Sequence, residues 1–161
     1  MKKPNTSGEK NRLLIVDDEP INIQILSSIL GDDYTLSAAT NGSKALELAR
    51  AQMPDLILLD MVMPDIDGLE VCRQLKRDEA TQGIPVIFVT GMSDPDSEER
   101  GLDAGAVDYI SKPVSPPIVK ARVKIHIQNF LTVNFLEGLL SSGNMSMEEA
   151  KSQAESLLVF V

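Results

Sequence analysis

Residues 12–18 have the sequence RLLIVDD, in which a run of apolar side chains ends abruptly in two acids. This pattern is typical of a strand buried on both faces, and it predicts a strand from about Arg12 to Asp17. Similar runs predict four further strands, at Tyr34–Ala38, Asp55–Asp60, Pro85–Thr90 and Asp108–Ile110. The segments between them carry apolar residues at helical spacings of three and four. Strands that alternate with helices indicate an α/β fold, in which helices cover both faces of a parallel sheet.

The composition restricts the class of protein. The chain has 161 residues, 43% of them hydrophobic, which is enough for one domain with a sizeable core and a modest extension. Its 24 acidic and 15 basic residues give a net charge of -9, which disfavours direct binding to nucleic acid. Cys72 is the single cysteine of the sequence, so an intramolecular disulfide is excluded. Because neither a signal sequence nor an apolar run of membrane-spanning length is evident, we expect a cytoplasmic protein with no membrane segment.

The last core helix is predicted to be unusually long. It is expected to begin at Ser115 or Pro116 and to run to Phe130, or as far as Leu140. Gly138 and the following SSGN stretch weaken the helical pattern near its end.

A further helix is expected near the C-terminus, because Ser146 and Glu149 have the spacing of a capping box. One face of it would carry Met147, Ala150, Ala154, Leu157, Leu158 and Val161. A helix this short is only marginally stable in isolation, and its apolar face therefore needs a partner to pack against. We therefore divide the chain into a flexible leader (1–10), a core domain (11–130) and a helical extension (131–161) that is a linker or a dimerisation tail.

Polar side chains stand at the ends of the predicted strands. Asp17 and Asp18 follow the first strand, Asp60 ends the third, Thr90 ends the fourth and Lys112 closes the fifth. Each one alone is more often a turn residue or a helix cap. In a parallel sheet, however, the carboxyl ends of the strands meet at one rim, where ligands bind. We therefore expect these five side chains to converge.

Such a cluster favours phosphoryl chemistry with a metal ion. Two carboxylates roughly 5 Å apart repel by about 3 kcal/mol at an effective dielectric of 20, so a cation must offset the charge. Oxygen ligands favour a hard divalent ion, and magnesium retains waters that a phosphate oxygen can replace. Lys112 can neutralise a phosphoryl group or pair with Asp60 before phosphorylation. The carboxylate of Asp60 can act as the nucleophile, and the Thr90 hydroxyl can donate a hydrogen bond to a transferring oxygen.

Four stretches resemble, in order, the signature sequences of the receiver domains of two-component response regulators. They are IVDDEP (15–20), LILLDMVMPDIDG (56–68), PVIFVTG (85–91) and DYISKP (108–113). The resemblance extends from about Leu13 to Asn129. It implies a flavodoxin-like receiver fold, with a doubly wound five-stranded parallel sheet in the order 2-1-3-4-5. It also implies a bacterial phosphorylation switch that receives its phosphoryl group from a histidine kinase or a phosphotransfer protein.

The resemblance also implies roles for individual residues. Asp60 is the phosphoryl acceptor, and Lys112 and Thr90 assist the transfer. Mg2+ is held by Asp18, by Asp60, by Asp17 directly or through water, and by the backbone carbonyl of Val62.

The switch pair implied by the resemblance is Thr90 and Tyr109. Phosphorylation draws the hydroxyl inward, and the aromatic ring turns into the space it leaves. The signal then passes to an output domain or partner protein through the face formed by the fourth helix, fifth strand and fifth helix.

Two positions depart from the side chains that the family commonly uses to orient the hydrolytic water, since Val62 and Met92 are both apolar. Our hypothesis is that the phosphorylated form hydrolyses slowly. Met92 is equally compatible with simple packing on the fourth helix. On this interpretation the chain is no enzyme beyond its own phosphorylation and slow dephosphorylation.

Other functions fit less well. A haloacid dehalogenase needs a second aspartate two residues after the nucleophile, where Val62 stands. A dinucleotide-binding turn needs glycines where the sequence has DDEPIN, and residues 42–44 lack the rest of a phosphate-binding loop. A calcium loop is excluded by Met63 and Gln74 at its first and last positions.

Two questions stay open at the level of sequence. The chain could be a pseudo-receiver, which is an interaction module with this fold that is not regulated by phosphorylation. It could also be a stand-alone regulator or the amino-terminal part of a larger one. His126 is expected to be a surface or packing residue rather than a phosphorelay histidine.

Overall fold

The computed structural model describes residues 8–92, 94–143, 146–149 and 151–152. Within these residues, strands and helices alternate along the chain. The strands are β1 (Arg12–Val16), β2 (Thr35–Ala39), β3 (Leu56–Leu59), β4 (Val86–Thr90) and β5 (Asp108–Ser111). The helices are α1 (Pro20–Leu30), α2 (Gly42–Gln52), α3 (Gly68–Arg77), α4 (Pro95–Asp103) and α5 (Pro116–Ser141).

The five strands form one parallel sheet in the order β2-β1-β3-β4-β5. The predicted α/β class and strand order are therefore confirmed. The strand bounds differ from the prediction by a residue or so, since Asp17 and Asp60 lie just beyond β1 and β3. Their backbone amides still donate to neighbouring strands, Asp17 to Ala39 (3.2 Å) and Asp60 to Val16 (2.9 Å). The ladder hydrogen bonds therefore continue into the residues that carry the acids.

The sheet has a core on each face because alternate strand residues point to opposite sides. Leu14 and Val16 of β1 pack in the core that α2 and α3 cover. Leu13 and Ile15 pack in the core that α1 and α5 cover. Cys72 is buried in the first core, where burial raises the pKa of its thiol to about 11. It is therefore a packing residue.

Side chains at the helix ends explain where several helices begin. Pro20 and Pro95 occupy first turns, where the missing amide proton of proline does no harm. The side chains of Asn41, Asp67 and Asp94 accept hydrogen bonds from the first turns of α2, α3 and α4.

Helix α5 is long, as predicted, with 26 residues. Its buried residues are Val119, Val123 and Ile127, and Leu131 packs against the same core. The remaining turns therefore extend past the sheet. None of the described helices has the length and apolar character that crossing a lipid bilayer requires.

The predicted capping box near the C-terminus is confirmed. The Ser146 amide donates to Glu149 Oε2 (2.9 Å), and the Glu149 amide donates to Ser146 Oγ (3.3 Å). Most of the predicted apolar face lies outside the described residues, namely Ala150, Ala154, Leu157, Leu158 and Val161. The same holds for residues 1–7 of the predicted leader.

Substitutions in α1 test the packing of the core between α1 and α5. Leu30→Ala removes a side chain that is 0% exposed, and we expect a loss of about 2–5 kcal/mol in the free energy of unfolding. Ile21→Ala on the same helix removes a side chain that is 56% exposed, and we expect a change within about 0.5 kcal/mol. Urea denaturation measures both, and equal losses would contradict the described packing of α1.

Candidate functional site

The structure brings the acidic side chains predicted from sequence to one rim of the sheet. Asp17 and Asp18 follow β1, and Asp60 follows β3. One carboxylate oxygen from each of the three lies within 4.8 Å of the others. Asp17 and Asp60 are only 2% and 7% exposed, whereas Asp18 is more open to solvent. Three carboxylate oxygens so close together form a ligand set that suits a hard divalent cation.

Lys112, which follows β5, supplies positive charge to this cluster. Its Nζ donates to Asp17 Oδ2 at 2.6 Å and to Asp60 Oδ2 at 3.2 Å. Burial alone would lower the pKa of Lys112, but the hydrogen bond to Asp17 and the charges of Asp60 and Asp17 outweigh it, so the pKa is raised. The ammonium group therefore remains charged. The sequence predicted pairing with Asp60, but the shorter contact is to Asp17, so Lys112 bridges the two acids.

Asp17 is the most firmly held of the three acids. Its Oδ2 accepts from Lys112, while its Oδ1 accepts from the Glu19 amide (2.9 Å) and from Asn22 Nδ2 (3.3 Å). Sequence reasoning missed Asn22. Its signal is a polar side chain one helical turn after the acids, in the otherwise apolar start PINI of α1.

The loop after Asp60 turns back sharply into α3. The Gly68 amide donates to the Met61 carbonyl (2.9 Å), and a Cβ at position 68 would overlap the carbonyl oxygen of Asp60. Only glycine fits so close an approach of two backbones. The Val62 amide donates to Asp60 Oδ1 at 3.3 Å, so the loop also contacts the acid directly.

Asp65 ties this loop to α2, and sequence reasoning missed it as well. Its Oδ1 accepts from the Gly42 amide (3.1 Å), and its Oδ2 accepts from the amide and hydroxyl of Ser43 (both 3.3 Å). Hydrogen bonds from the backbone of Ile66, Gly42 and Ser43 lower the pKa of Asp65. The only sequence signal is an acid in a loop, which does not indicate a helix start 23 positions away.

Thr90 and Tyr109, the predicted switch pair, lie on the neighbouring strands β4 and β5. Thr90 is 1% exposed, and its Oγ1 accepts from the Met92 amide at 3.3 Å. The ring of Tyr109 is buried in the core on the α2 and α3 side of the sheet. Among the described residues, the Tyr109 hydroxyl has no hydrogen-bond partner.

A second charged group joins β5 to α5. Arg122 donates to Asp108 Oδ1 (2.7 Å) and to the Tyr109 carbonyl (2.9 Å), and His126 Nε2 lies 2.9 Å from Asp108 Oδ2. Burial alone would raise the pKa of Asp108, but the hydrogen bond to His126, the Tyr109 amide and Arg122 together lower it. His126, predicted only as a surface or packing residue, therefore contacts Asp108 where α5 packs on β5.

Comparisons with known proteins agree with this architecture. The family model that matches residues 13–124 is the response regulator receiver domain. A Vibrio cholerae protein named Probable cyclic di-GMP phosphodiesterase is 50% identical over 73% of this chain, and the match spans 26% of that protein. Response regulator PleD of Caulobacter vibrioides is 38% identical over 82% of this chain and 29% of its own length. The chain thus spans less than a third of these curated relatives.

A solved structure is similar in the same way. The CheY-like receiver domain protein from Methanospirillum hungatei is 28% identical and superposes with a TM-score of 0.71. The match covers 76% of this chain and 97% of that one.

Proposed function

Since the chain belongs to the family of response regulator receiver domains, we propose that it is a phosphorylation switch of a two-component system and that Asp60 accepts the phosphoryl group. The observation that carries this proposal is the contact between Asp60, the Lys112 ammonium and two further carboxylates. A pseudo-receiver would have no use for a cluster of three acids beside a half-buried ammonium group. The alternative is therefore not favoured.

The acidic cluster fits a magnesium ion. Asp18 and Asp60 would bind it directly, together with the backbone carbonyl of Val62. Asp17, whose two oxygens already accept three hydrogen bonds, would act directly or through water. When bound, the ion supplies positive charge for the oxygens of the transferred phosphoryl group.

The chemistry of this chain is the transfer of a phosphoryl group onto itself. A carboxylate oxygen of Asp60 attacks phosphorus, and the bond between phosphorus and the donor nitrogen of a phosphohistidine breaks. The hydrogen bonds to Asp60 are longer than the one between Lys112 and Asp17, so its oxygens remain available for attack. Lys112 stays charged and neutralises the incoming group, and the Thr90 hydroxyl donates to one of its oxygens.

Labelling with a small phosphodonor tests the acceptor. We expect wild-type protein to gain one phosphoryl group from acetyl phosphate in the presence of Mg2+, as measured by intact mass, and to gain none in EDTA. Asp60→Asn should abolish the gain, because the amide is not a nucleophile. Asp67→Asn in the same loop is the control and should label normally, since asparagine also caps a helix. Wild-type protein that takes no label would favour the pseudo-receiver instead.

The side chains at positions 62 and 92 favour slow hydrolysis of the phosphorylated protein. The side chains of Val62 and Met92 are 55% and 41% exposed, and neither can hold a water by a hydrogen bond. Attack by water on the acyl phosphate is then unassisted by these two positions.

We expect the phosphorylated protein to have a half-life of minutes or longer in Mg2+. Val62→Asn should shorten it by about tenfold, because an amide can position the attacking water. Val107→Asn, at an exposed position before β5, is the matched control and should leave the lifetime unchanged. Decay of the labelled species by mass spectrometry measures both. A wild-type half-life of seconds would contradict the proposal.

The phosphoryl donor would be a histidine kinase or a phosphotransfer protein in the cytoplasm. The signal would leave through α4, β5 and α5, where Arg122 joins Asp108 and the Tyr109 carbonyl. Its recipient is an output region further along a longer chain or a separate partner protein.

The extension of α5 would pair with a second copy of the chain. Beyond Leu131 this helix leaves the domain core, and residues 132–141 extend by about 15 Å. This part carries Val133 (52% exposed) and Phe135 (46% exposed). Apolar side chains on a projecting helix are stabilised when a partner helix covers them.

Light scattering tests this pairing. We expect wild-type protein to have twice the mass of one chain, and Phe135→Glu to return it to the mass of one chain because a buried carboxylate opposes association. Gln128→Glu adds the same charge at an exposed position nearer the domain and should leave the dimer intact. A wild-type monomer at all accessible concentrations would exclude the dimer.

A further inference from the structure

Asn22 contacts the acidic site through its side-chain amide. It lies in the first turn of α1, partly buried, with Nδ2 3.3 Å from Asp17 Oδ1. The Glu19 amide donates to the same oxygen, and Lys112 donates to the other. Both carboxylate oxygens of Asp17 thus accept hydrogen bonds. Of these three donors, the Glu19 amide is a backbone group, and the other two belong to side chains.

Asn22 also lines a cavity of about 410 Å³. The cavity is lined by Asn22 and Lys112 together with Ile25, Leu26, Val89, Pro113 and Val114. Among the described residues that line it, Asn22 and Lys112 are the strongly polar ones, and both donate to Asp17. A shorter or apolar side chain at position 22 therefore meets open space and apolar neighbours rather than a tightly packed wall.

We propose that Asn22 is a positioning residue of the acidic site, which holds Asp17 towards Lys112 and thereby sets the affinity of the site for a divalent cation. The inference rests on the proposed function, because it concerns the same metal site. Donors that orient the ligands of a metal ion raise its affinity without touching it, and their loss typically weakens binding by about 10–100-fold. Without Asn22 the Asp17 carboxylate can rotate about its Cβ–Cγ bond. The ordered set of oxygens is then present for a smaller fraction of the time.

The test is calorimetric titration of the whole chain with Mg2+. We expect Asn22→Leu, which is close in size to asparagine, and Asn22→Ala to raise the Kd for Mg2+ by about tenfold or more. Gln24→Leu on the same helix removes an exposed amide away from the acids, and it should bind Mg2+ as the wild type does. Labelling of both Asn22 variants by acetyl phosphate should need correspondingly more Mg2+.

Melting temperatures in EDTA separate positioning from folding. We expect both Asn22 variants to melt as the wild type does without metal and to gain less stability when Mg2+ is added. Unchanged Mg2+ affinity in both variants would overturn the inference alone. A fall of both melting temperatures in EDTA would make Asn22 a stability residue and overturn it too. Wild-type protein that fails to bind Mg2+ would instead contradict the proposed function, and this inference with it.

Discussion

The structure of the site depends on the attraction between Lys112 and the carboxylates at the carboxyl ends of β1 and β3. Three carboxylates lie within 4.8 Å of one another, and two of them are almost completely buried. Such a group is tolerable only because Lys112 donates to Asp17 and Asp60 together. The parallel sheet makes the arrangement possible, since it brings strand ends that are distant in sequence to one rim. It also links the two buried acids, because Lys112 of one strand end donates to both of them.

The backbone around the acids is held in one conformation by several close contacts. Gly68 lets the start of α3 approach the Asp60 carbonyl, and Asp65 fastens the intervening loop to α2. On the other side, Asn22 and the Glu19 amide hold Asp17. Preorganisation of this kind matters for phosphoryl transfer, in which the protein contributes position and charge more than covalent chemistry.

The opposite side of β5 links the site to the surface of the domain. Tyr109 packs inward against the core, while its carbonyl accepts from Arg122 of α5. The neighbouring Asp108 contacts both Arg122 and His126. A movement at the end of β4 or β5 is therefore coupled by direct contacts to α5, the helix that extends beyond the domain.

Much of this protein follows from the sequence by itself. Strand positions, the α/β class, the long last helix, the capping box at Ser146 and the five polar residues at strand ends are all readable, because periodicity reports burial and parallel strands end together. Only the tertiary structure decided that Lys112 lies closer to Asp17 than to Asp60, that Asn22 holds Asp17, and that Asp65 contacts α2. These contacts depend on the path of each loop and on the rotation of α1 about its axis. Local sequence patterns indicate which residues are buried. Hydrogen bonds between segments distant in sequence depend on how the helices and loops pack on the sheet.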